Sequence, residues 1–202
     1  MNERTRLFAS CALTIIAACG LWAMCASAAE RPIGSAMPSF SLSSADGKTV
    51  SSDGLADKHA VVVVFMDNHC TYCAAYQSRL IALQNTYGPK DVQFVLVNPN
   101  LPVDSAAEMK AHAAKAGYPF PYLIDATQGV AKAFGATRTP EVFVFAADHK
   151  LIYRGQIDDN TEEKMAHRSD LKLALDAALK GTPKAIEHPI TNPFGCTIKW
   201  RQ

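Results

Sequence analysis

The stretch Phe65-Met66-Asp67-Asn68-His69-Cys70-Thr71-Tyr72-Cys73 constrains this chain more than any other. Four valines, Val61 to Val64, lead into it, and a helix-patterned segment beginning near Thr71 leads out, so two cysteines stand where a buried strand hands over to a helix. A helix start presents unpaired N–H groups and the positive end of the macrodipole, and both favour a thiolate over a thiol. Two intervening residues put the second sulfur about one helical turn from the first, within reach of a bond to it. The junction predicts thiol chemistry.

The N-terminus sets the compartment in which that chemistry is expected. Arg4 and Arg6 precede an apolar stretch from Leu7 to Cys25 that ends in Ala26-Ser27-Ala28-Ala29-Glu30, the pattern of a secretory signal peptide over residues 1–28. Cleavage after Ala28 removes Arg4, Arg6 and Glu3, and leaves 18 basic and 18 acidic residues of the 20 and 19 in the whole chain. Ile16-Ala17-Ala18-Cys19 also fits a bacterial lipoprotein box acylated at Cys19. Left uncut, Leu7 to Ala29 is about long enough for one membrane-spanning helix. Membrane anchoring is thus expected only through an uncleaved or lipidated leader, and all three readings place the folded part in the periplasm or otherwise outside the cytoplasm. A charge near zero gives no reason to expect nucleic acid as a partner. Cys11, Cys19 and Cys25 leave with the leader, so Cys70, Cys73 and Cys196 remain of six cysteines. An odd count in an exported chain points to a free, metal-bound or partner-exchanging thiol, and three are too few for a disulfide-stapled scaffold.

The 202 residues suffice for one domain, placed at 29–183, with a C-terminal tail at 184–202. Phe40, Leu42 and Val50 predict a small hairpin with Asp46-Gly47 at its turn. Ala60 to Met66 reads as a strand covered on both faces, followed by a helix from Thr71 to Tyr87 that stops at Gly88-Pro89. Val92 to Val97 is a second buried strand, and Asn98-Pro99-Asn100-Leu101-Pro102 a loop. Asp104 or Ser105 caps a helix that runs to Ala116 and closes at Gly117. Tyr122 to Ile124 is a short strand and Val130 to Phe134 a short helix. Thr139-Pro140 then precedes a hairpin, Glu141 to Ala146 and Leu151 to Arg154, and Asp170 to Leu179 is the last helix. This order predicts an α/β fold with a central mixed sheet and helices on both faces. A Cys-x-x-Cys at a strand-to-helix junction, with Thr-Pro before a later strand, is the thioredoxin layout. Lys184 to Gln202 reads as an irregular tail, docked on the domain through Ile198 and Trp200.

The chain resembles the thioredoxin-fold redoxins, and within them the exported peroxiredoxin-like proteins related to alkyl hydroperoxide reductases and thiol-specific antioxidants. The resemblance spans roughly residues 36–200. It rests on Asn68-His69-Cys70, Gly117-Tyr118-Pro119-Phe120-Pro121-Tyr122-Leu123, Thr139-Pro140-Glu141, Tyr153-Arg154-Gly155-Gln156-Ile157-Asp158-Asp159 and the ending Gly195-Cys196-Thr197-Ile198-Lys199-Trp200. It implies a three-layer thioredoxin-like fold and a cis bond before Pro140 facing the cysteine pair. The sequence also departs from its relatives. Asp67 stands where many of them carry a cysteine and where a true peroxiredoxin carries the threonine that binds peroxide. Val64 stands where thioredoxins bury an acid on the central strand.

On this reading Cys70 is the attacking thiolate and Cys73 the resolving thiol of a thiol–disulfide oxidoreductase, and no cofactor is implied. Its partners would be protein thiols or disulfides and an electron-donor protein, with Thr139 and Pro140 offering a backbone edge to a substrate strand. Four further residues carry open alternatives. His69 shapes the surface, donates to a substrate, ligates a metal or, if protonated, stabilises the Cys70 thiolate; Asp67 repels a thiolate, accepts a proton or ligates. Glu141 is the missing proton acceptor or a solvated strand-end carboxylate. Cys196 is a third redox thiol, a metal ligand or a small buried residue. His59, His112, His149, His167 and His188 are expected on the surface, and Tyr118, Phe120 and Tyr122 in core and loop packing. A second function class is a Cu(I) or Zn(II) binding protein or metallochaperone using Cys70, Cys73 and His69. A third is a thiol peroxidase, against which Asp67 argues.

Overall fold

The structure, a computed structural model, describes residues 30–100 and 104–201. The expected signal peptide, the Cys19 lipoprotein box, and Cys11 and Cys25 lie outside the described residues. In chain order the elements are β1 (Ser41–Ser43), β2 (Thr49–Ser51), β3 (Ala60–Phe65), α1 (Thr71–Tyr87), β4 (Val92–Asn98), α2 (Ala106–Ala116) and β5 (Tyr122–Ile124). They continue with α3 (Gly129–Phe134), β6 (Arg138–Thr139), β7 (Glu141–Ala146), β8 (Leu151–Gly155), α4 (Asp170–Leu179) and β9 (Cys196–Thr197). Five strands form the central sheet in the order β5-β4-β3-β7-β8. β3 runs parallel to β4 and β4 to β5, while β7 is antiparallel to both β3 and β8. The sheet is therefore mixed, as the element order predicts.

Alternation along the central strand divides the core into two layers. Val62, Val64 and Met66 face one side with Tyr76 and Leu80 of α1, Met109 of α2, and Leu171 and Leu175 of α4. Val61, Val63 and Phe65 face the other with Phe40, Phe143, Phe145, and Ala131 and Phe134 of α3. Every residue of β3 is fully buried, which requires the uninterrupted β-branched run that its sequence supplies. On the second side Phe134 is the hub of an edge-to-face aromatic cluster with Phe65, Phe143 and Phe145.

The helix boundaries have local causes. Ser105 and Glu108 form a reciprocal capping box at the start of α2, and Gly117 closes it in the left-handed conformation. Of the two residues considered as cap, Ser105 does the capping, and Asp104 is free for another role. Arg79 of α1 is buried, an unexpected place for a guanidinium. It pairs with Asp158, donates to the carbonyl oxygens of Asn160 (2.8 Å) and Thr161, and lies over the Tyr76 ring at 4.2 Å. This network holds the 158–161 loop against α1.

The tail is more ordered than its composition predicts. Residues 189–191 run along the outer edge of the sheet, where Arg154 donates its amide to the Pro189 carbonyl and Thr191 donates to the Arg154 carbonyl. That covers the exposed edge of β8. The chain then crosses to β6, pairs with it as β9, and buries Ile198 in the second core layer. The short strand was missed because two residues carry no readable period, and its partner β6 is equally short.

Gly155 is where the tail comes closest to the sheet. Its φ is +137°, and a Cβ there would lie 2.2 Å from Thr191 Oγ1 and 2.4 Å from the Thr191 carbonyl oxygen. Gly155→Ala combines backbone strain with overpacking and is expected to cost about 2–4 kcal/mol, read as a lower denaturation midpoint in chemical unfolding.

Candidate active site

The two parallel strands β3 and β4 end at the same edge of the sheet, and β7 begins there because it runs the other way. Three connections therefore meet at one place: the Asp67–Cys70 turn, the segment after Asn98, and the Thr139–Pro140 peptide. That peptide is cis, as the resemblance implied, and both residues are buried. Cys70 is the N-cap of α1, and its sulfur accepts from the Cys73 amide at 3.4 Å. The Cys70 thiol donates to the Thr139 carbonyl at 2.9 Å. Cys70 and Cys73 are both buried and unbonded to each other, and Cys196 is half-buried.

The three sulfurs differ in acidity for identifiable reasons. The Cys73 thiol, then the Cys196 thiol and the amides of Cys73 and Cys196, stabilise the Cys70 thiolate and bring its pKa down to about 5, with burial opposing them. The Thr139 carbonyl also opposes ionisation, since it can accept only from the protonated sulfur. Burial pushes the Cys73 thiol well above its usual range, and the Cys70 charge pushes it further. Burial is likewise the first cause that raises Cys196, to about 11. One sulfur is set to be the nucleophile and two to hold their protons.

Asp67 ties the site together. Its Oδ2 accepts from Thr139 Oγ1 and from Asn100 Nδ2, both at 2.7 Å, and its Oδ1 accepts from the His69 amide at 2.9 Å. Asp67 is buried, and its charge acts against ionisation of Cys73. The His69 ring is largely exposed, and its Nε2 lies 3.0 Å from Oδ1 of Asp104. Among the described residues no group of three or more His, Cys, Asp or Glu side chains is arranged to hold a metal ion.

Glu141 fits neither of its expected roles. It is almost fully buried rather than solvated, and its Oε2 accepts from the Thr137 amide (2.7 Å), the Arg138 amide (3.2 Å) and Thr137 Oγ1 (3.2 Å). Strand alternation puts it on the Phe143 and Phe145 side of the sheet, opposite the layer that holds Cys73. It fixes the turn before Pro140 and cannot take a proton from the cysteine pair. Val64 is fully buried in the layer of Cys73, so the strand position of the thioredoxin acid is apolar here. His112 also departs from its expected surface place: it is half-buried, and its Nε2 lies 3.2 Å from both Gln77 Oε1 and the Tyr118 hydroxyl.

Three polar residues of this site carried no sequence motif. Asp104 is fully buried and accepts at Oδ2 from the Asn68 amide (2.9 Å) and from Asn98 Nδ2 (2.6 Å). Asn98 also lies 3.0 Å from the Tyr122 hydroxyl, which donates to Asn68 Oδ1 at 3.1 Å. Asn100 serves both Asp67 and, through Oδ1, the Lys199 amide of the tail. The usable signal was Asn98-Pro99-Asn100 at the end of a buried strand, where an amide must find partners.

The family model described as Redoxin matches residues 32–174, most of the chain and all of this site except Cys196. The chain belongs to the Redoxin family. A thioredoxin-like redox function goes with that membership. Among solved structures, this Redoxin is similar to an uncharacterized conserved protein from Geobacillus kaustophilus, with 40% identity over 84% of this chain and 93% of that one, and a TM-score of 0.78. It is also similar to a hypothetical protein from Sinorhizobium meliloti 1021, with 31% identity over 86% of this chain and 97% of that one, and a TM-score of 0.79. Peroxidoxin BcpB from Mycobacterium tuberculosis shares the fold, with 20% identity over 77% of this chain and 97% of that one, and a TM-score of 0.56. No curated protein matches the chain.

The acidity of Cys70 is open to direct measurement. Thiolate absorbance should rise as pH increases through about 5 and be lost in Cys70→Ser. Cys73→Ala removes the largest stabilising donor, so the midpoint should move up towards the ordinary thiol range; an unchanged midpoint would show that the Cys73 thiol is not what holds the charge.

Proposed function

We propose that this Redoxin is an exported thiol–disulfide oxidoreductase that exchanges disulfides with protein partners through Cys70 and Cys73. The observation that carries the reading is the Cys70 sulfur itself: it sits at the start of α1 under the donors of Cys73, and 2.9 Å from the carbonyl of Thr139 beside Pro140. An acidic thiol at a helix start suits nucleophilic attack at neutral pH, because it is ionised without being so acidic as to lose all nucleophilicity.

The Cys70 thiolate attacks one sulfur of a protein disulfide, forms a mixed disulfide and releases the other substrate sulfur as a thiolate. Cys73 then attacks the Cys70 sulfur, forms the Cys70–Cys73 bond and releases the second substrate sulfur. The Cys73 proton passes to the leaving thiolate as the Cys70–Cys73 bond forms, so the buried Cys73 sulfur need not stand as a free thiolate. This route uses no buried strand acid, in keeping with Val64 in that place. Two electrons reach the substrate, and a dithiol of an electron-donor protein returns the pair to the reduced state. Asp67 holds the Thr139 hydroxyl and so keeps the substrate edge in register with the cysteines.

Export rests on the leader pattern of residues 1–28. Among the described residues no helix is long and apolar enough to cross a membrane.

Insulin disulfide reduction, with dithiothreitol as electron source, tests the reading. Cys70→Ser should lower the rate by about a hundredfold or more, while Cys73→Ser should accumulate a mixed disulfide with the substrate. A Cys70→Ser protein as active as the unaltered chain would sink the proposal.

A further inference from the structure

The backbone edge at Thr139 is already filled, and the residue that fills it is a cysteine. β9 pairs antiparallel with β6, with Thr139 opposite Cys196 and Arg138 opposite Thr197. The fit is close: a Cβ on Gly195 would lie 2.5 Å from the Thr139 carbonyl oxygen and 3.2 Å from the Pro140 nitrogen, so only glycine can pass. Arg138 Nη1 donates to the Gly195 carbonyl at 3.0 Å, and the Ile198 amide donates to the Thr137 carbonyl at 3.0 Å. Beyond the strand, Gln128 takes hold of the chain from both sides, donating to the Lys199 carbonyl and accepting from the Arg201 amide, each at 2.8 Å. Cys196 is thus paired with the residue whose carbonyl receives the Cys70 thiol, and its thiol and amide are among the groups that lower the Cys70 pKa. Cys70 is only 2% exposed, so a protein disulfide cannot reach it while this strand is seated. A strand paired beside Pro140 that brings a cysteine opposite the residue bonded to the nucleophile is the arrangement expected of a bound substrate.

We propose that Cys196 is a third redox-active cysteine and the tail an internal pseudo-substrate, whose sulfur forms a disulfide with Cys70 in exchange with the Cys70–Cys73 disulfide. The inference rests on the exchange chemistry proposed above, which leaves the Cys70–Cys73 disulfide after a protein disulfide has been reduced. The Cys196 thiolate then attacks the Cys70 sulfur. The Cys70–Cys196 bond forms, the Cys70–Cys73 bond breaks, and Cys73 leaves as a thiolate that takes up the proton Cys196 has lost. No electrons are gained or lost overall, so no further oxidant enters. Burial disfavours both Cys73 and Cys196 as thiolates, so the proton that Cys196 gives up has to reach Cys73 as that sulfur leaves. The internal disulfide keeps Cys70 from outside partners, and its opening lets the tail yield the Thr139 edge to a substrate strand.

Disulfide mapping decides the matter. The full chain and its Cys73→Ser variant are oxidised with diamide at low protein concentration, blocked with N-ethylmaleimide and mapped by peptide mass spectrometry. Cys70–Cys196 should be the main link within single chains of Cys73→Ser, and should accompany Cys70–Cys73 in the unaltered chain. Cys196 recovered as a blocked free thiol in both would overturn the proposal, whether or not Cys70 has joined a second molecule. Gly195→Val supplies an independent measurement, because a side chain there must push the strand off Thr139. Iodoacetamide should then modify Cys70 about tenfold faster or more, as expected when a covered site is freed from local opening. A folded Gly195→Val protein with unchanged Cys70 reactivity would also overturn it. Retention of insulin reduction by Cys70→Ser would defeat the exchange reading alone, while the map would still report on Cys196.

Discussion

Between the end of β3 and the first turn of α1, the Asp67 carboxylate accepts from His69, Asn100 and Thr139, and so joins three separate loops through one buried charge. A buried carboxylate is costly unless its oxygens are occupied, and here each is. Hydrogen bonds to a charged group contribute about 1.5–3 kcal/mol each, so the loops gain more from meeting at Asp67 than from any neutral contact between them. The position of Thr139 relative to Cys70 follows from this, and with it the geometry of the candidate substrate edge. A threonine at position 67 could not reach three partners in this way. Burial, and after it the Cys70 charge, keeps Cys73 protonated, with the Asp67 carboxylate adding a smaller push in the same direction.

A second buried carboxylate, Asp104, extends the scaffold. It receives the Asn68 amide and Asn98, and its other oxygen meets His69, the residue just before the nucleophile. The turn that carries Cys70 is thus held at Asp67, Asn68 and His69, by Asn100 beyond β4, Asp104 ahead of α2 and Thr139 of β6. Such a rigid turn lets the helix start, and not a flexible loop, set where the sulfur points. The tail uses the same residues, since Asn100 binds Asp67 with one end of its amide and the Lys199 amide with the other. Seating of the tail and positioning of the cysteines are therefore parts of one hydrogen-bonded unit.

The central sheet and the four helices were legible in the sequence because Ala60 to Phe65, Val92 to Val97 and Glu141 to Ala146 are long enough to show their burial, and Gly88-Pro89, Gly117 and Gly135 mark their ends. The cysteine junction was legible for the same reason. What could not be read was pairing across long separations. Nothing local to Cys196 says that it lies opposite Thr139, because a two-residue strand has no period and its register comes from Gly195 passing under a carbonyl. Glu141 was misread because its position beside Pro140 suggested proximity, whereas strand alternation sends its side chain to the far face. The pattern before α2 offers Asp104 and Ser105 alike as caps; Ser105 caps, which leaves the Asp104 carboxylate for the site. Cys196 and Asp104 have partners far away in sequence, whereas Glu141 has near ones, on the face of the sheet away from the cysteines.

Occupation of the Thr139 edge changes what selectivity must mean for such a protein. A tethered strand meets its site at an effective concentration of about millimolar, so an outside strand of equal intrinsic affinity would be excluded at lower concentrations. A partner therefore has to offer something the tail lacks: tighter pairing at Thr139, contacts with the exposed Tyr72 or Phe194, or capture of Cys70 during a transient opening. The last is favoured by covalency, because a mixed disulfide holds the partner after the opening has passed. With the tail reseated through Ile198 and Gln128, Cys70 returns to a covered state in which its low pKa does not expose it to small oxidants. Acidity and accessibility are thus set by different parts of the molecule: the start of α1 with its thiol and amide donors governs the first, and the seating of residues 195–201 governs the second.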